Sequence, residues 1–163
     1  MHIKITRELY DYAKKDLLRN HDYALERIGF FLAKLTKAKD NQNIILIYEY
    51  LSVADVDYNR NSLVGASIGS VAIRKILQEI LDTGDIAFHT HIHDFPGILG
   101  LSITDQQSIP PLIKSFQNIN PTKPHGIFLF GENDHNAWVL LPNTDNLKNV
   151  SKITVVGYPL LIK

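Results

Sequence analysis

Three histidines, His89, His91 and His93, fall within five residues of a chain that contains seven. In a β-strand, side chains two apart project to the same face, so all three point together. Two imidazoles at i and i+2 can converge on one metal ion, although a solvated polar strand face gives the same pattern. Downstream stands Ser102-Ile103-Thr104-Asp105. Ser followed three residues later by an acid is a capping-box-like helix start. That role fixes the direction of Asp105, whose carboxylate can still turn onto a metal held by the strand histidines. Two His and one Asp leave the fourth position of a tetrahedral site to water, which is the arrangement of catalytic rather than structural zinc.

The rest of the composition narrows the chemistry. With no cysteine, the chain has no disulfide, thiolate nucleophile or thiolate zinc site, so a transition metal must rest on imidazole and carboxylate. Neither a phosphate-cradling glycine loop nor Gly-x-Ser-x-Gly is present. Lys and Arg total 17, as do Asp and Glu, and this balance argues against nucleic acid as the main partner. His2, His21, His125 and His135 are scattered, as structural histidines usually are. Glu49 reads as an exposed strand carboxylate. Asp94 is either an orienting partner for a ligand histidine or a solvated loop residue.

The elements that must position these groups follow from periodicity. The chain has 163 residues, 45% hydrophobic and 21% charged, which suits one domain over 1–163. Residues 2–6 alternate as a first strand, and Thr6 caps a helix over 7–19 with Leu9, Ala13 and Leu17 on one face. Strands follow at 27–36 and 43–54, then a polar loop over 57–65. Ser67 begins a second helix with Ile73, Ile76, Leu77 and Ile80 inward, stopping at Thr83-Gly84. Residues 85–93 form the histidine strand, and 94–101 form a loop. A third helix begins after Ser102, interrupted or bent at Pro110-Pro111. Strands at 126–131 and 136–141 precede a last strand over 153–162, with Gly157 and Pro159 marking a bulge or an edge. The fold class is α/β (α+β), a mixed sheet flanked by about three helices. Met1-His2-Ile3-Lys4 lacks a secretory pattern and no apolar run is long enough to span a bilayer, so the expected setting is soluble and cytoplasmic, with no membrane partner.

His91-Ile92-His93, an eight-residue loop and Ser102-Ile103-Thr104-Asp105 resemble the signature of the JAMM zinc metalloproteases, the Jab/MPN family: His-x-His-Pro, a short loop, then Ser-x-x-Asp, with a Glu far upstream. Glu26, in Leu25-Glu26-Arg27-Ile28-Gly29-Phe30-Phe31, matches that upstream element. The element order also resembles the JAB/MPN (cytidine-deaminase-like) fold. Asp94 stands where the family has Pro, Ala33 where a second Gly is common, and the loop is one residue longer than the commonest form. The resemblance implies zinc held by His91, His93 and Asp105, Glu26 as general base and Ser102 as oxyanion donor. Pairing His89 with His91 instead would lengthen the loop to ten residues. It further implies hydrolysis of a peptide or isopeptide bond after the tail of a ubiquitin-like protein, working with an adenylating activating enzyme. The alternatives are a non-catalytic interaction module of the same fold and a zinc amidohydrolase acting on a small substrate.

Overall fold

The computed structural model describes residues 1–20, 24–60, 65–93 and 99–163. Asp94 and His21 lie outside them. Strand β1 (His2–Thr6) leads directly into helix α1 (Arg7–Leu17), where the Thr6 hydroxyl accepts from the Leu9 N–H at 3.3 Å. Strands β2 (Ile28–Lys37) and β3 (Asn43–Ser52) pair antiparallel, a short 3-10 turn spans Asp55–Asp57, and α2 covers Ser70–Thr83. Strand β4 (Ile86–His93) precedes helix α3 (Ile103–Ile119). The chain then closes with β5 (His125–Gly131), β6 (His135–Leu140), β7 (Leu147–Asn149), β8 (Lys152–Val156) and β9 (Leu161–Ile162).

These strands form one mixed nine-stranded sheet in the order β7-β6-β5-β4-β2-β3-β1-β8-β9. The fold is therefore mixed α/β. β4 is interior, antiparallel to β2 and parallel to β5. Alternation along β4 divides the molecule. Ile86, Phe88 and Ile92 join Tyr10, Ala13 and Leu17 of α1 in one core. Ala87 faces the other way, into the core built by Ile76 and Ile80 of α2 and Ile109, Ile113 and Phe116 of α3. By strand periodicity His89, His91 and His93 share the face of Ala87, beneath α2 and α3. Among the described residues no helix is long and apolar enough to cross a membrane.

Several boundaries differ from the sequence reading. Helix α2 starts at Ser70, not Ser67, because Gly69 is its N-cap and the Tyr58–Ile68 bridge keeps the preceding segment extended. Pro110 and Pro111 do not interrupt α3, which runs through both. The last strand divides in two, since Gly157 at φ 141° turns the chain between β8 and β9, which pair antiparallel. Strand β7 has no counterpart in the sequence pattern, because Leu-Lys-Asn carries no apolar alternation.

Candidate metal centre

β4 presents the histidines at its C-terminal end, where α3 begins. His91 and His93 are 2% and 4% exposed, and their Nε2 atoms lie 3.1 Å apart. Asp105, on the first turn of α3, brings Oδ1 to 3.4 Å from His91 Nε2 and Oδ2 to 3.2 Å from His93 Nε2. Donors about 2.0 Å from a tetrahedral zinc lie roughly 3.3 Å from one another. The Nε2–Nε2 spacing is close to that edge, each imidazole meets a different oxygen of the Asp105 carboxylate at similar range, and the donor set of two imidazoles and a carboxylate suits the ion. Glu26, His91 and His93 each offer an atom within 4.8 Å of the others, a group that could hold a metal ion.

Asp105 is positioned by the capping box. Its Oδ2 accepts from the Ser102 N–H at 2.8 Å and from the Ser102 hydroxyl at 2.7 Å, while the Asp105 N–H donates to Ser102 Oγ at 3.1 Å. The capping role of Ser-x-x-Asp thus leaves the Asp105 carboxylate beside both histidines. The Ser102 hydroxyl proton is committed to Asp105 here, so donation to an oxyanion requires that hydroxyl to turn. Burial pushes the Asp105 pKa up, but hydrogen bonds from His91, His93 and Ser102 outweigh it and hold the carboxyl well below the usual range. The hydrogen bond to Asp105 raises the His93 pKa against the opposing effect of burial. Among the described residues His91 Nδ1 is buried without a hydrogen-bond partner, whereas a metal-bound imidazole usually donates through its second nitrogen.

Glu26 stands just before β2 and is tied in from three sides. Its N–H donates to Gly65 O at 2.8 Å. The next residue, Arg27, is 2% exposed and donates to Arg19 O at 2.6 Å, Asn20 O at 3.1 Å and Asp55 Oδ1 at 2.6 Å. The Ile28 N–H donates to the Tyr58 hydroxyl at 2.7 Å. A Cβ at Gly65 would fall 2.7 Å from Glu26 Oε2, so glycine there leaves room for the carboxylate. Gly29 has a separate, structural reason: a Cβ would sit 2.4 Å from the Tyr50 ring.

A cleft of about 200 Å³ adjoins the group, lined by Glu26, Gly65, His89, His91, Ser102 and Asp105 with Ile28, Thr104, Ser108 and Ile109. Sequence reasoning had no signal for Gly65, Thr104 or Ser108, and it weighed His89 only as a rival ligand. His89 is 5% exposed and packs edge-on against Phe30, with ring centroids 5.9 Å apart. Burial, followed by the nearby His91, pushes its pKa down to about 3. Glu49 is exposed on β3, opposite Leu32, and does not line the cleft. The remaining described histidines are structural. His2 Nε2 meets Thr154 Oγ1 at 2.8 Å, and His135 Nδ1 meets the Tyr10 hydroxyl at 3.3 Å. His125 accepts from the Ala87 N–H at 3.1 Å and donates to Asn120 O at 3.2 Å.

No known family profile and no curated protein matches this chain. Among solved structures, the N-terminal domain of STIL from Trichoplax adhaerens is similar at a TM-score of 0.40 and 13% identity, over 84% of this chain and 40% of that one. The chain thus spans less than half of that structure, and a likeness at this score carries no argument about fold family or function.

Proposed function

We propose that the chain is a zinc-dependent peptidase or isopeptidase of the JAB/MPN type. The observation that carries the reading is the convergence of His91, His93 and Asp105 at 3.1–3.4 Å, with Glu26 in the same cleft. Element order and the spacing of Glu26, His91-x-His93 and Ser102-x-x-Asp105 also support it. His91, His93 and Asp105 would hold the ion. When bound, zinc supplies Lewis acidity, activating water at neutral pH and polarising the scissile carbonyl. Glu26 takes a proton from the attacking water on its carboxylate and returns it to the leaving amine. Ser102 holds Asp105 through its backbone N–H, which frees its hydroxyl to turn toward the developing oxyanion. Leu25 and Ile103, 76% and 77% exposed beside Glu26 and Ser102, offer an incoming chain apolar contact. The substrate is a peptide or the tail of a ubiquitin-like protein, joined through an adenylating activating enzyme. The small cleft volume favours one second reading, an amidohydrolase acting on a small amide.

Metal analysis after dialysis, coupled to cleavage of ubiquitin-like fusions with differing tails, tests the proposal. About one zinc per chain is expected, with cleavage lost to a chelator and restored by zinc. A protein that neither retains nor takes up zinc overturns the site. A zinc-loaded protein that cleaves nothing leaves the non-catalytic module, and cleavage of small amides alone leaves the amidohydrolase.

A further inference from the structure

Strand β1 is parallel to both of its neighbours, β3 and β8. Parallel strands are normally covered on both faces. One face is covered here, where Ile3 and Ile5 of β1, Ile45 of β3 and Ile153 of β8 join Ala13 of α1 in the first core. On the opposite face α2 and α3 build the second core, and among the described residues none from β1 or β8 joins it. Strand register shows what that face presents, since cross-strand partners point the same way. His2 lies between Ile44 and Lys152, and Lys4 between Leu46 and Thr154. Thr6 has Val156 beside it, and Ile162 of β9 lies beyond Thr154. Tyr48 turns the same way: the Lys34 ammonium lies over its ring, and Lys34 is the cross-strand partner of Leu46. Leu46, Tyr48, Val156 and Ile162 are 40–60% exposed. Large apolar side chains gathered in this way mark an interaction surface.

Charge is divided across the face. Lys4 and Lys152 lie toward the starts of β1 and β8. Glu49 lies on β3 beyond Leu46, the partner of Lys4, about 10 Å further along the strand direction. It points to the same side, because it is paired with Leu32 of the second core. Glu79 of α2 stands at that corner too, lining a groove with Tyr50 and Leu51. The groups between feel both corners. Burial, followed by Lys152, Lys4 and the N-terminus, pushes the His2 pKa down. Burial, followed by Asp85, Glu49 and Glu79, pushes the Tyr48 pKa up. Lys34 and Asp85 pair with each other. Among the described residues Lys4, Lys152, Glu49 and Glu79 form no ion pair.

We infer that the open face of β3, β1, β8 and β9 docks a second copy of this chain, face to face about a two-fold axis that sets Lys4 and Lys152 of each copy against Glu49 and Glu79 of the other. A face with base at one corner and acid at the opposite corner is complementary to itself, because a two-fold axis between the corners exchanges them. A uniformly acidic or basic partner would match one corner and be repelled by the other. The same docking takes Leu46, Tyr48, Val156 and Ile162 out of water. Four strands about 4.8 Å apart and five residues at about 3.3 Å each make a face of roughly 19 by 17 Å. That is at the small end for a stable dimer, so the dissociation constant falls in the micromolar range. None of the residues lining the metal cleft lies on this face, and the dimer stands or falls independently of the peptidase reading.

Sedimentation velocity of the full chain over about 1–300 μM tests this, and a reversible monomer–dimer equilibrium is expected. Leu46→Glu should weaken the dimer by about tenfold or more, whereas Lys15→Glu, exposed on α1, should leave it within about twofold. Reversing the basic corner, Lys4→Glu with Lys152→Glu, should weaken self-association by about tenfold, as should reversing the acidic corner, Glu49→Lys with Glu79→Lys. Mixed in equal amounts, the two reversed proteins should pair with each other to within about threefold of the wild-type affinity. Neither a folding defect nor damage at an unrelated surface produces that recovery, and circular dichroism confirms that each variant is folded. A chain that stays monomeric over the whole range overturns the inference and leaves the face to a different occupant. A dimer indifferent to Leu46→Glu and to both reversals overturns it as well, by placing the contact elsewhere. So does a mixture of folded reversed proteins that fails to associate, because the opposite corners then do not meet.

Discussion

At the scale of single residues, Glu26 separates chemistry from coordination. A general base that is not a ligand can be removed without losing the ion. Glu26→Gln should therefore keep zinc while lowering the rate of tail cleavage by about 10²–10⁴. Zinc lost together with activity would make Glu26 a ligand, an arrangement its place within 4.8 Å of both histidines allows. Gly65 gives a gentler version of the same experiment. Its added Cβ meets the far end of the flexible Glu26 side chain rather than backbone. Gly65→Ala should thus change stability by less than about 1 kcal/mol in denaturant unfolding, while displacing the carboxylate and lowering turnover. Equal turnover in wild type and variant would show that the carboxylate does not work from its present position. The ligand candidates were legible in the sequence because strand periodicity and the capping box are local rules. Gly65 was not, because its reason is a contact across 39 positions of chain.

At the scale of elements, α3 shows where local rules stop. Pro110 and Pro111 lie too deep in the helix to occupy its first turn, and each removes a backbone donor, costing about 3 kcal/mol in an isolated interior position. The helix nonetheless continues, because Ile109, Ile113 and Phe116 bury one continuous face against the sheet. Tertiary burial outweighs the local break, which is why the sequence suggested an interruption. Pro111 is exposed, so Pro111→Ala should stabilise the protein by about 1–2 kcal/mol, restoring a donor at some expense in unfolded-chain entropy. Urea unfolding measures this, and a loss of stability would mean that the proline ring is itself a packing element. Elements with strong periodicity, such as α1 and β4, were readable to within a residue or two. The start of α2 was not, since Ser67 looks like a cap but its backbone oxygen is taken by the Asn59 N–H at 2.8 Å. Nor was β7, whose three residues are held by pairing with β6.

At the scale of the whole molecule, the sheet separates two cores, and buried histidines are built into both. Burial pushes the pKa of His125 down to about 4, partly offset by its bond to Asn120 O. Burial does the same for His135, also to about 4, opposed by Asp134 and reinforced by Lys163, Arg7 and Lys14. In the unfolded chain each histidine takes a proton near pH 6.5; in the fold neither does until about pH 4. The unfolded state therefore binds more protons between those limits, so stability is full above pH 6.5 and is lost as pH falls toward 4. Each group contributes about 3 kcal/mol across the window. Urea unfolding of chelator-treated protein should show this slope, and His125→Asn, which keeps an acceptor for the Ala87 N–H, should remove about one proton's worth of it. A flat profile would mean that these rings titrate alike folded and unfolded. The two-sided pairing of β4 has a further, calorimetric consequence. Paired with β2 over Ile86–His91 and with β5 over Phe88–His93, it holds the histidines in place whether or not an ion is present. Zinc uptake should then resemble a ligand entering a finished crystal lattice rather than a seed around which order grows. Its heat should vary with buffer ionisation, reporting protons released by the imidazoles, while its heat-capacity change stays near zero because almost no apolar surface is buried in the event.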